Sequence, residues 1–132
     1  MIKAVKVKPI VDGDCIGEAV VIDNYISFFG EVDPVKGIHR PTGKSIAGKV
    51  LVFRGGRGST VGSYIIYSLK KHKTNPKCMI VAEAEPIIVV GAVLADIPFL
   101  VVLEDFDLFI KNIHDGVTIK YYRGGDKLVY GE

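Results

Sequence analysis

The sequence predicts an α/β fold with a β/β/α arrangement, and three observations lead there. The chain opens on two alternating, strand-like segments. Its middle runs strand, glycine-rich turn, helix, strand, helix, strand. Its end carries a hairpin pattern. The middle favours a parallel sheet with right-handed crossovers, and the two ends add an antiparallel layer.

Met1–Ile10 alternates apolar and charged residues and reads as a strand rather than a signal peptide. The turn at Asp12-Gly13-Asp14 leads into a second strand over Gly17–Asp23. Asn24 to Gly48 is irregular and holds Gly30, Pro34, Gly37, Pro41, Gly43 and Gly48. A stretch this long without periodicity is usually a functional or loosely ordered loop. Lys49–Phe53 is a short apolar run, hence a buried strand. Val61, Ile65 and Leu69 then recur every fourth residue, and Lys70, Lys71 and Lys73 bring cations to the end of that helix. Asn75-Pro76 stops it.

Cys78–Ala82 reads as the next strand. Pro86 opens a helix with Ile87, Val90, Gly91 and Leu94 on one face. Pro98–Val102 is another buried strand. Glu104, Asp105 and Asp107 beside Phe106 read as a solvated turn. Gly116–Tyr121 and Lys127–Tyr130 close the chain as a hairpin around Arg123-Gly124-Gly125-Asp126.

The 132 residues fit a single domain over 1–132, with 48% hydrophobic and 24% charged residues. A net charge of +2, with scattered basic residues, argues against a general nucleic-acid binder. The most apolar stretch, Pro86–Leu103, is broken by Asp96 and Pro98 and reads as core rather than membrane span. Cys15 and Cys78 stand far apart, with no third cysteine, so this chain alone does not suit a cysteine-ligated cluster or zinc site. Both read as small buried residues or free thiols, in keeping with a reducing cytoplasm. His39, His72 and His114 are dispersed, without metal-ligand spacing.

The strongest motif is Gly55-Gly56-Arg57-Gly58-Ser59-Thr60-Val61-Gly62-Ser63, set between a strand and a helix. Glycines let the backbone turn sharply and approach a ligand closely. The free N–H groups of a helix start favour an anion, and Arg57 offers a planar fork of donors. Ser59 and Ser63 add hydroxyls in or before the first turn. From pattern alone two readings stand: a ligand-gripping turn, or a tight turn in which Ser59 or Thr60 merely caps the helix. Nucleotide motifs fail on count. The sixth position from Gly56 is Val61, and five residues rather than four separate Gly37 from Gly43 in the P-loop-like Pro41-Thr42-Gly43-Lys44-Ser45.

Four stretches together resemble the swivel-domain proteins of the aconitase X family. They are Phe28–Pro34 with Gly37-Ile38, Gly43–Leu51, Gly56–Ser63, and Glu85–Ile88 with Gly91-Ala92-Val93 and Ile97-Pro98. Two departures stand out: Arg54-Gly55 where that family has a proline-containing approach, and Glu31 where its loop often has glycine.

The resemblance implies an aconitase fourth-domain-like swivelling domain, acting as the small subunit of a cytoplasmic hydro-lyase heterodimer. A large subunit would hold an iron–sulfur cluster of the [4Fe-4S] type, and none would be bound by this chain. Ser59 would be the catalytic base, with Arg57, Gly58, Thr60, Gly62 and Ser63 binding substrate. The implied reaction dehydrates (R)-5-phosphomevalonate to trans-anhydromevalonate 5-phosphate in the archaeal mevalonate pathway. The alternatives are a hydroxyproline-type dehydratase subunit and a non-catalytic anion-binding swivel module. The apolar loop Tyr25–Phe29 is a candidate docking surface for the large subunit, or else part of this domain's own core.

Overall fold

The computed structural model describes residues 2–131, so Met1 of the first expected strand lies outside the described residues. The elements are β1 (Ile2–Val11), β2 (Cys15–Ile26), α1 (Phe28–Glu31), β3 (Val32–Asp33), β4 (Ile38–His39), β5 (Lys44–Ser45) and β6 (Val50–Gly56). They continue with α2 (Gly62–Lys71), β7 (Cys78–Val81), α3 (Pro86–Ala95), β8 (Phe99–Val102), α4 (Phe106–Lys111), β9 (Thr118–Tyr121) and β10 (Lys127–Gly131).

The expected α/β class holds. β2, β6, β7 and β8 run parallel, with α2 and α3 as the crossovers between the last three. β1, β9 and β10 join them antiparallel and close the sheet into a barrel of order β1-β10-β9-β2-β6-β7-β8.

Strand alternation explains why the central strands read as unbroken apolar runs: both faces are buried. In β6, Val50 and Val52 point into the barrel, where they meet Ile80, Leu100, Ile119 and the α4 residues Phe106 and Phe109. Leu51 and Phe53 point outward and are covered by Ile66 and Leu69 of α2 and by Ile88 and Ala92 of α3. No described helix is long and apolar enough to cross a membrane.

Four expectations are corrected. Cys15 and Cys78 are fully buried but form a disulfide rather than free thiols, because they begin strands that flank β6 and their Cα atoms lie 5.5 Å apart. The acidic turn is the start of a helix, in which Asp105 caps the N–H of Leu108 and Asp107 pairs with Arg54. The α3 stripe is rotated. Ile88, Gly91, Ala92 and Ala95 are buried, whereas Val90 and Leu94 are exposed.

The irregular stretch after β2 is the fourth, since it is built rather than loose. β3, β4 and β5 form a small antiparallel sheet, and Lys44 ties it to the barrel through the Val21 carbonyl and Asp115. Gly37 sits at φ +66°, and a Cβ there would lie 2.8 Å from the Thr74 carbonyl oxygen, so only glycine fits without strain.

Candidate active site

Three strand ends build the site. β2, β6 and β7 run parallel, so the segments that leave them emerge together at the carboxyl end of these strands, where parallel α/β folds place ligands. Ser27 follows β2, Arg57 to Thr60 follow β6, and Glu83 to Glu85 follow β7. Ile26 and Gly56 are paired in register, which sets the first two segments side by side.

The turn between β6 and α2 is held by its own backbone. The Arg57 N–H donates to the Ile26 carbonyl at 3.1 Å, and the Gly62 N–H donates to the Ser59 carbonyl at 3.0 Å. Gly58 adopts φ +92°, and a Cβ there would lie 2.7 Å from the Ser27 hydroxyl. Any side chain would force Ser27 out and strain the backbone. Gly56 is equally confined, its Cβ position falling 2.6 Å from Ile88 and 2.9 Å from a Glu85 oxygen. Glu85 in turn caps α3, accepting from the Ile87 N–H at 2.7 Å ahead of Pro86.

Ser59 is exposed at the mouth of α2, and its hydroxyl oxygen accepts from the Val61 N–H at 3.1 Å. Thr60, Gly58 and Arg57 are exposed with it. Two expected ligand residues lie behind this front. Gly62 is buried, its Cβ position 3.8 Å from Phe28 and Ile87, and its N–H is used within the turn. Ser63 is half-buried and donates its hydroxyl to the Thr60 carbonyl at 3.2 Å. Gly62 supports the turn from behind, and Ser63 braces it through Thr60 while staying partly open to solvent.

Sequence reasoning missed what surrounds the turn. Glu31, noted only as a departure from a pattern, accepts a hydrogen bond from Nη2 of Arg57 at 2.7 Å and another from the Ser27 N–H at 2.8 Å. His39 is buried, with Nε2 at 4.0 Å from Glu31 and Nδ1 at 2.8 Å from the Thr42 hydroxyl. Burial holds its pKa below the usual histidine value, against the pull of Glu31 and with the help of Lys44. Tyr25 donates its hydroxyl to Glu83, which raises the phenol's pKa. Contacts between residues 26 or 58 positions apart leave no local trace in a sequence.

The expected docking loop is divided. Ile26 and Phe28 are core residues, Phe28 being 2% exposed with its ring edge-on to Phe53 at 5.8 Å. Phe29 is 55% exposed.

The model of the aconitase X swivel domain matches residues 4–128. This chain belongs to that family. Curated family members include the phosphomevalonate dehydratase small subunit of Aeropyrum pernix, 44% identical over 118 residues, covering 89% of this chain and 86% of the relative. The protein of the same name from Thermococcus onnurineus is 50% identical over 128 residues, covering 93% and 88%. The crystal structure of Thermococcus kodakaraensis aconitase X, in its holo form, superimposes with a TM-score of 0.88 at 39% identity, over 98% of this chain and 99% of that one.

Proposed function

We propose that this chain is the swivelling small subunit of a heteromeric hydro-lyase that dehydrates (R)-5-phosphomevalonate to trans-anhydromevalonate 5-phosphate in the archaeal mevalonate pathway. The observation that carries this reading is the exposed Ser59 hydroxyl at the start of α2, at the carboxyl end of the parallel strands. The names of the relatives support the substrate and the pairing with a large subunit.

Loss of water requires a proton to leave the carbon next to the carboxylate while the hydroxyl departs from the neighbouring carbon. The C–H electron pair becomes the new double bond, and the departing hydroxide leaves as water once protonated. Ser59 Oγ takes the proton. A serine does this only as an alkoxide, and the Val61 N–H, at the positive end of α2, stabilises that charge. Arg57, with the exposed backbone of Gly58 and Thr60, grips an anionic group of the substrate. Arg57 pairs with Glu31, so the helix start rather than the arginine carries the activation of Ser59.

Among the described residues no three His, Cys, Asp or Glu side chains gather to hold a metal, and both cysteines are bonded to each other. These residues do not fit an iron–sulfur cluster. The large subunit holds the cluster in this reading. The whole chain moves as one swivelling unit that brings Ser59 to a substrate gripped by the partner.

The test is reconstitution with the large subunit and an assay on phosphomevalonate. The native pair should turn over, and this chain alone should not. Ser59→Ala should lower turnover by about 10^3-fold, in the range of a lost general base, while the two subunits still assemble. Unchanged turnover would refute the base assignment and leave an anion-binding module.

A further inference from the structure

We infer that Glu31 is a positioning residue, which holds the Arg57 guanidinium in place for the substrate's anionic group. The inference rests on the reading of the turn from Arg57 to Thr60 as the substrate-facing surface. Arg57 is the one cation in that turn, and its side chain is 54% exposed. A long exposed side chain samples many rotamers, and fixing it costs conformational entropy at the moment of binding. Glu31 meets that cost in advance.

The carboxylate is itself immobilised. Its side chain is only 20% exposed. Oε1 accepts from the Ser27 N–H at 2.8 Å, and Oε2 accepts from Nη2 of Arg57 at 2.7 Å. The Glu31 backbone is fixed on both sides, its N–H donating to the Ser27 carbonyl at 2.8 Å and its carbonyl accepting from the Arg40 N–H at 2.7 Å.

Among the described residues Glu31 is the side chain's one hydrogen-bonding partner, and it takes a single nitrogen. A guanidinium has five N–H donors, so the remainder of the fork is left for a carboxylate or phosphate oxygen. The pair also joins the segment after β2 to the segment after β6 and so sets the geometry of the turn that carries Ser59.

The experiment is a double-mutant cycle in the reconstituted two-subunit enzyme, with phosphomevalonate as substrate. Arg57→Gln should raise KM about tenfold or more. Glu31→Gln keeps the size and one acceptor for the Ser27 N–H. It should raise KM about fivefold with kcat within about twofold, because binding is lost equally in ground and transition states. Glu31→Asp, which keeps the charge but shortens the reach, should fall between native and Glu31→Gln. The double variant should bind no worse than Arg57→Gln, since the two residues act as one unit.

A readout independent of turnover is the Arg57 side-chain N–H signal in the NMR spectrum of this chain. It should be sharp in the native protein and broadened in Glu31→Gln, while amides outside the two segments stay put. A KM raised by Arg57→Gln but untouched by both Glu31 variants would overturn the inference alone. So would full additivity of the two substitutions. A KM untouched by Arg57→Gln would overturn both this inference and the substrate-binding role assigned to the turn.

Discussion

The Val61 N–H donates to the Ser59 hydroxyl oxygen at 3.1 Å, so one side chain both braces the turn ahead of α2 and faces solvent. The two roles separate by magnitude. Ser59→Ala should cost the isolated chain about 1 kcal/mol, as loss of one intramolecular hydrogen bond does. That corresponds to a fall in Tm of about 4 °C for a domain of this size. Differential scanning calorimetry of the chain alone checks this. A loss of folding on that substitution would mean that the hydroxyl is chiefly structural.

Phe28 and Phe29 are neighbours with opposite fates. Phe28→Ala should destabilise the chain by about 3–5 kcal/mol, the usual cost of emptying a buried aromatic site. A charge at Phe28 should therefore unfold the domain rather than probe docking. Phe29→Asp should leave the urea midpoint nearly unchanged and weaken assembly with the large subunit, measured by titration of one subunit against the other. Equal assembly of native and Phe29→Asp proteins would remove Phe29 from the interface.

The Cys15–Cys78 bond closes a loop across 63 positions. Restricting the unfolded chain over such a loop is worth about 4 kcal/mol in the chain-entropy model. Cys15→Ala paired with Cys78→Ala should lower unfolding stability by up to that amount, less whatever residual structure the unfolded chain keeps. Urea unfolding of the double variant against the native chain measures it. The bond lies in the barrel core and away from the turn at Ser59, so kcat of the reconstituted enzyme should hold.

His39 is neutral and buried, with its pKa held below the ordinary 6.5 chiefly by burial. The unfolded chain then binds a proton that the folded chain refuses. Stability from this group is complete above pH 6.5 and is lost as the pH falls through the unfolded value toward the folded one. Urea midpoints measured from pH 7.5 down to 5 should therefore decline more in the native protein than in His39→Gln. Parallel curves would show that His39 adds nothing to the acid limb.

α2 and α3 cross closely at Gly91, where a Cβ would lie 2.9 Å from the Ile66 Cβ and 3.2 Å from the Ser63 Cα. Gly91→Ala should push the helices apart and cost about 1–3 kcal/mol, as overpacking does. Because Ser63 sits at the contact and bonds to Thr60, turnover should fall as well. Equilibrium unfolding and the dehydratase assay read the two effects separately.

Legibility followed the range of the interactions involved. Pro86, Lys70 and Lys71 mark helix ends through contacts within one turn, and α3 and α2 start and stop close to where those residues place them. Val50 to Phe53 read as a buried strand because both faces are covered. Asp105 misled because an acidic cluster and a capped helix start look alike until the Leu108 N–H is seen to need a partner. The sheet in residues 32–45 was invisible because its strands are two residues each, too short for any period to register.

By itself the sequence determined the fold class, the family likeness and the turn that presents Ser59, since each is encoded in residues close along the chain. Tertiary structure alone decided that the sheet closes into a barrel, that Cys15 bonds to Cys78, that Phe28 turns inward, and that Glu31 holds Arg57. Those outcomes depend on strand register and on segments meeting across dozens of positions. The free energy of such contacts belongs to pairs of distant residues, and no single stretch of sequence carries it.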